Sequence, residues 1–209
     1  DRNIGNRCIN CHRETEVNAI NWMRDGKGLY FQYDTEGMTK IASMSLSGKV
    51  KDIVDEVGGL SFGRSYSGGS YTISPSGRYA FTYGNEYNPA DLAVGYNGSK
   101  DRLTYLNKDL FNYKELGRVE EVWYESSYDG KKIQGWLVYP PNFDPTTTYP
   151  LILEIHGGPF LNYGFRFSAE VQLFASEGYF VLYTNPRGST SYGKEFANLI
   201  HHNYPSQDY

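Results

Sequence analysis

Hydrophobic and polar residues alternate with one period in the first half of the chain and another in the second. Up to about residue 116, short alternating runs are broken by Gly, Asn, Asp and Ser, the signature of strands and tight turns. The runs repeat. Ile20-Asn21-Trp22-Met23-Arg24-Asp25-Gly26-Lys27-Gly28-Leu29-Tyr30-Phe31 aligns without a gap on Tyr71-Thr72-Ile73-Ser74-Pro75-Ser76-Gly77-Arg78-Tyr79-Ala80-Phe81-Thr82 at an offset of 51 residues. At the same offset residues 41–46 fall on 92–97, and residues 51–54 on 102–105. Each unit reads strand, hairpin turn, strand, turn, strand, the content of one four-stranded propeller blade. The two units cover about residues 12–116. A blade cannot bury both faces alone, so they are expected to stack on further blades outside this chain.

From about Val119 strands alternate with helices. Residues 119–126 and 132–139 read as strands joined by Tyr128-Asp129-Gly130-Lys131, a hairpin signal. Pro150-Leu151-Ile152-Leu153-Glu154-Ile155 is a nearly continuous apolar run, which predicts a strand buried on both faces. It leads straight into His156-Gly157-Gly158-Pro159. Phe167, Val171, Phe174 and Ala175 recur at helical spacing from Ser168, and Gly178 stands where a left-handed cap would end that helix. Residues 179–183 are the next buried strand, running into Asn185-Pro186-Arg187-Gly188-Ser189. A short helix with Phe196, Leu199 and Ile200 on one face follows. His201 and His202 close it, where positive charge suits the helix dipole; as neighbours on a helix they point apart and predict no metal pair. Such an open α/β sheet binds ligands at the loops on its strands' carboxyl ends.

Composition removes several classes of function. The 209 residues suffice for one large domain or parts of two. The net charge of −4 offers no cationic field to a phosphate backbone, which argues against nucleic acid. The longest apolar runs fall far short of the roughly 20 residues of a membrane-spanning helix. No charged-then-apolar leader precedes Asp1, and the non-Met start with the Tyr- and Asn-rich composition tilts the expected compartment toward periplasm or secretion.

Cys8-Ile9-Asn10-Cys11-His12 has the C-x-x-C-H spacing of c-type haem attachment. A haem would need a small helical domain and a second axial ligand, whereas Met23, Met38 and Met44 fall in strand and turn segments. Cys8, Cys11 and His12 therefore read as a thiol-bearing loop, and neither cofactor nor metal is expected. Gly63-Arg64-Ser65-Tyr66-Ser67-Gly68-Gly69 nearly matches the G-x-S-x-G nucleophile elbow. It has Ser67 where that strained turn needs Gly and leads into a strand, not a helix, so it reads as a linker between blades. Asn97-Gly98-Ser99 fits a glycan acceptor, relevant only to a eukaryotic secretory context. The glycine loops after the two buried strands carry more. Without a Cβ in the way, a reacting carbonyl can approach free backbone N–H groups, which makes His156, Gly157 and Gly158 the oxyanion-loop candidates; the same glycines would also serve a plain tight turn. His-Gly-Gly-Pro in this position resembles the HGGG-type oxyanion loop of α/β-hydrolases.

Four stretches carry a more specific likeness. They are Arg102-Leu103-Thr104-Tyr105-Leu106-Asn107, Asp129-Gly130-Lys131-Lys132-Ile133-Gln134-Gly135-Trp136-Leu137, Tyr149-Pro150-Leu151-Ile152-Leu153-Glu154-Ile155-His156-Gly157-Gly158-Pro159 and Asn185-Pro186-Arg187-Gly188-Ser189-Thr190-Ser191-Tyr192-Gly193. In this order they resemble the prolyl oligopeptidase family of serine peptidases, in particular its acylaminoacyl-peptidase and dipeptidyl-aminopeptidase-like branch, from about residue 14 onward. The resemblance implies β-propeller blades (all-β) followed by the N-terminal part of an α/β-hydrolase domain. Residues 1–116 would be the last two blades and 117–209 the opening of the peptidase domain, truncated before the nucleophile.

The resemblance also implies hydrolysis of short peptides through a Ser-His-Asp triad and an acyl-enzyme. Ser, Asp and His are expected beyond Tyr209, because none of His12, His156, His201 and His202 follows a nucleophile and an acid in hydrolase order. This chain alone would be inactive. Relatives that use a Tyr side chain in the oxyanion site carry it where His156 stands, so a backbone N–H such as that of Gly157 would take the role here. Arg187 and Tyr192 would line the same cavity, Arg187 in a structural ion pair. The expected partners are short peptides, the remainder of the same polypeptide and further copies in a homo-oligomer, with no nucleic acid and no membrane span. The alternative is a non-catalytic propeller and α/β scaffold that binds peptides or proteins.

Overall fold

Two runs of four antiparallel strands come first. In a computed structural model, which describes residues 16–208, β1 (Val17–Trp22), β2 (Gly28–Thr35), β3 (Met38–Ser45) and β4 (Val50–Val57) form an antiparallel meander. β5 (Tyr71–Ile73), β6 (Tyr79–Asn85), β7 (Asn88–Tyr96) and β8 (Ser99–Arg102) repeat it. The Cys8, Cys11 and His12 cluster lies outside the described residues. The two meanders are β-propeller blades that share a core and are joined by one antiparallel pairing of β4 with β6, Val57 opposite Tyr83. Ile41, Val54 and Val57 of the first share a core with Tyr71, Tyr79, Phe81 and Ala93 of the second. Period-2 alternation sends Phe31, Tyr33, Ala42 and Met44 to a separate cluster on the opposite face of β2 and β3.

The 51-residue offset carries β2 onto β6 and β3 onto β7 but fails at the last pair. Residues 103–105, matched by sequence to β4, leave the sheet after β8 and lead into a single helical turn, α1 (Lys108–Phe111). Asp91 is the physical reason. Its buried carboxylate pairs with Arg102 and accepts from the Thr104 hydroxyl (2.7 Å) and the Leu106 N–H (3.0 Å), which bends the chain back over β7. The first blade has Lys40 at the matching position and so lacks this device. Burial by itself pushes the Asp91 carboxyl up, but the Leu106 N–H, the Thr104 hydroxyl and Arg102 together hold it below the ordinary carboxylate range. A folded-state value below the unfolded one means stabilisation fully present above pH about 4 and lost as pH falls through the folded value. Asp91→Asn is expected to lower stability at pH 7 by about 1–3 kcal/mol and to flatten the acid limb of stability against pH, measured by urea unfolding from pH 2 to 7.

The second sheet has the order β11-β12-β10-β9. β9 (Val119–Glu125) and β10 (Lys132–Val138) form the expected hairpin, and β11 (Leu151–Ile155) runs parallel to β12 (Phe180–Asn185) through the crossover helix α2 (Ala169–Ser176). α2 starts where the sequence places it: Ser168 Oγ accepts from the Val171 N–H (3.2 Å). The opposite end closes through Gly178 at φ +88°, with Tyr179 N donating to Phe174 O. Trp136, Val138, Tyr163, Val171, Ala175, Val181 and Tyr183 make its core. With the blades, this is the opening portion of an α/β-hydrolase fold.

Among the described residues β11 pairs with β12 alone, and Leu151, Leu153 and Ile155 are each more than half exposed. One expectation fails here. The last helix, α3 (Lys194–Asn198), stops short of His201 and His202. Both are exposed, and a left-handed His202 (φ +58°) brings the two rings to 4.0 Å instead of apart.

Blade and sheet meet through two inserted segments. The β2–β3 turn enters the second sheet's loops, with Glu36 N donating to Ser191 O (3.1 Å), Gly37 N to Ser191 Oγ (3.0 Å) and Phe165 N to Gly37 O (3.3 Å). The elbow-like 63–69 stretch lies between β4 and β5, and its Ser65 is buried with the hydroxyl donating to Arg166 O (3.1 Å). A Cβ on Gly164 would stand 1.8 Å from the Gly37 carbonyl oxygen. Backbone cannot yield as a side chain does, so Gly164→Ala should cost about 1–3 kcal/mol by overpacking, read as a lowered urea midpoint with an unchanged slope.

Candidate active site

Parallel neighbours end at the same edge of a sheet, and the β11–β12 register, Ile155 opposite Thr184, sets the 156–159 loop beside the 185–191 loop. Asn185 ties the second loop to Tyr163, downstream of the first. It is fully buried; its Oδ1 accepts from Tyr163 N (2.8 Å), and its Nδ2 donates to Tyr163 O (2.9 Å) and to the Tyr192 hydroxyl (2.6 Å). Thr190 adds an N–H to Leu161 O (3.1 Å).

His156 sits where the loops touch. It is 7% exposed, with Nε2 2.9 Å from Ser189 Oγ and Nδ1 3.0 Å from the Gly157 carbonyl oxygen. The ring meets Tyr163 edge-on at 5.1 Å. Burial pushes its pKa below the ordinary value, opposed by the smaller pull of the Gly157 carbonyl, so the ring is neutral at pH 7. Gly157 and Gly158 are exposed, and among the described residues neither N–H donates a hydrogen bond. A Cβ on Gly157 would meet nothing within 4 Å, whereas one on Gly158, at φ +137°, would lie 2.9 Å from Leu161 Cγ. The loop thus offers unshielded backbone donors at an open edge.

Arg187 is buried and ties three segments together. It forms an ion pair with Asp129 and donates to Ser126 Oγ (3.0 Å) and Gln207 O (3.1 Å). His156, Pro159, Arg187, Glu125, Tyr204 and Asp208 border one cleft of about 410 Å³. Tyr192 does not face it. Its hydroxyl accepts from Asn185 and donates to Gln134 Oε1, and its ring packs on Trp123, while burial holds the phenol far above its ordinary pKa. A larger groove of about 610 Å³, bordered by Ile73, Tyr79, Ala80 and Val94, lies on the second blade and carries no such donor loop. Asn185 and Ser189 lie in the 185–193 motif, but only the fold shows that both are buried and which groups they bind. Among the described residues no group of three or more His, Cys, Asp or Glu is placed to hold a metal, and no helix is long and apolar enough to cross a membrane.

Free N–H groups at the end of a sheet strand, beside a cleft, suit stabilisation of an oxyanion in acyl transfer. The family model described as "Prolyl oligopeptidase family" matches residues 165–209. The peptidase YuxL of Bacillus subtilis is 34% identical over 190 residues, covering 90% of this chain and 28% of the relative. Dipeptidyl-peptidase 5 of Aspergillus fumigatus is 28% identical over 201 residues, covering 91% of this chain and 26% of the relative. The crystal structure of Pyrococcus horikoshii acylaminoacyl peptidase superposes with a TM-score of 0.78 at 26% identity, over 96% of this chain and 30% of that one. The chain therefore spans under a third of the length of each of these relatives. These matches and the two-part fold liken the chain to the prolyl oligopeptidase family, whose model matches its residues 165–209.

Proposed function

We propose that the chain is the blade-to-hydrolase junction of a serine-type peptidase that cleaves short peptides through an acyl-enzyme, with the Ser, Asp and His supplied by residues following this stretch in the intact protein. In this reading residues 1–116 are propeller and 117–209 open the catalytic domain. One observation carries it: Gly157 and Gly158 are exposed at the carboxyl end of β11, their N–H groups donate no hydrogen bond among the described residues, and the flanking His156 and Pro159 border a cleft. Donors already in place stabilise the oxygen of a tetrahedral intermediate without reorganising, and a single such donor is typically worth a factor of about 10²–10³ in rate. The route needs no cofactor. The names dipeptidyl-peptidase and acylaminoacyl peptidase among the relatives support substrates read from a peptide's amino end.

The test is a fluorophosphonate probe on the intact protein, with hydrolysis of dipeptidyl and N-acetylated peptide substrates followed in parallel. One probe per active site, with matching loss of hydrolysis, is expected. A folded intact protein that neither reacts nor hydrolyses any of the panel would leave the scaffold alternative.

A further inference from the structure

We propose that His156 is a positioning residue that takes up a proton when an oxyanion forms on the 156–159 loop, becoming an imidazolium held between the Gly157 carbonyl and Ser189. This rests on the oxyanion reading of that loop.

Three contacts meet around the ring: Nδ1 to Gly157 O at 3.0 Å, Nε2 to Ser189 Oγ at 2.9 Å, and Ser189 Oγ to Pro186 O at 2.6 Å. Each needs one proton, and the two carbonyl oxygens can only accept. A neutral imidazole and a serine hydroxyl bring two protons between them. With the proton on Nε2, Nδ1 faces the Gly157 oxygen with lone pair against lone pair; with it on Nδ1, the serine hydroxyl must turn to Nε2 and abandon Pro186 O. Either tautomer leaves one contact empty. The imidazolium fills all three: Nδ1–H donates to Gly157 O, Nε2–H to Ser189 Oγ, and the hydroxyl to Pro186 O.

Burial keeps the free ring neutral, so a proton is there to be gained. A negative charge on the neighbouring loop favours the charged ring, and by linkage the charged ring favours the anion. The proton comes from solvent through the cleft, adding to a ring nitrogen with no bond broken in the protein. Holding the Gly157 carbonyl also fixes the Gly157–Gly158 peptide plane, because C=O and N–H of one peptide move together. The groups facing this ring are the Tyr163 and Tyr66 phenols, Glu154 bonded to Tyr163 and Arg64, Arg187 paired with Asp129, and Glu125 and Asp208 across the cleft. None of them makes a hydrogen bond to either ring nitrogen.

Calorimetry of a peptide boronic acid binding the intact protein, in two buffers of different ionisation enthalpy, counts the protons taken up. Wild type should exceed His156→Gln by a sizeable fraction of one proton per site, with Ser189→Ala in between. In His156→Gln kcat should fall about tenfold while KM stays within twofold. Equal proton uptake by wild type and His156→Gln, with the boronic acid bound to both, overturns this inference alone. A boronic acid that wild type does not bind overturns the peptidase reading and this inference with it.

Discussion

Trp136→Ala is expected to lower the unfolding free energy by about 3–5 kcal/mol, the range for deleting a fully buried aromatic side chain. Trp136 is 0% exposed in the middle of β10. Its ring stacks on Tyr183 at 5.2 Å and meets Phe165 edge-on at 5.4 Å. Gly37, at the tip of the β2–β3 turn, lies so close that a Cβ there would stand 2.7 Å from the ring. One side chain therefore fills the seam between the first blade and the second sheet, and its loss opens a cavity that backbone on both sides cannot close. Domains are typically stable by about 5–15 kcal/mol, so this substitution removes a large share. Trp136→Phe is the control. It keeps most of the apolar contact and deletes the buried Nε1, which has no partner among the described residues, so it should cost only about 1–2 kcal/mol. Urea unfolding followed by circular dichroism reads both, and a Trp136→Ala protein as stable as wild type would show that the seam is not packed as described.

Gly157→Ala is expected to act in the opposite manner, sparing the fold and damaging catalysis. A Cβ at Gly157 enters open space, and stability should stay within about 0.5 kcal/mol of wild type, as for surface changes. On the proposed reading that space is where a scissile carbonyl approaches the loop's N–H groups. A methyl group there should lower kcat/KM roughly ten- to hundredfold, part of the 10²–10³ lost when an oxyanion donor is removed outright. Steady-state kinetics on the intact protein with a short peptide substrate checks it. Full activity with full stability would place the reacting carbonyl elsewhere. Gly158→Ala should fail differently, losing stability as well, because its φ of +137° and the Leu161 contact at 2.9 Å leave no room.

Much of this architecture is legible in the sequence. Gly26 and Gly77 punctuate equivalent turns of a 51-residue repeat, and hairpin strands need only period-2 alternation and turn residues to be recognised. Ser168 and Gly178 likewise mark the ends of α2, since caps are local chemistry. His156, Gly157 and Gly158 stood out because glycine after an apolar strand is a local signal. Arg187 belongs to a motif visible in the sequence, but its ion-pair partner Asp129 lies 58 positions away and cannot be read from spacing.

The failures share a cause. Hydropathy shows that Leu151, Leu153 and Ile155 are apolar, but what lies over them is not a local property. The offset predicted a full last strand in the second blade, but Asp91 draws Thr104 and Leu106 away from it. Tyr192 shares a motif with Arg187 yet turns to Gln134 and Asn185, because a strand end and its loop send neighbouring side chains in different directions.

What sequence alone determined is periodic and local: strand against helix, turn positions, caps, the two-part order of blades then α/β sheet, and the loop that bears the glycines. What tertiary structure decided is pairing between distant residues. Parallel alignment of β11 with β12 brings His156 to Ser189, 33 positions on, and burial there makes the ring neutral. The physical reason is range. Backbone propensity and alternation act over a few residues and leave a trace in composition, whereas a buried hydrogen bond exists only after the chain has closed on itself and excluded water.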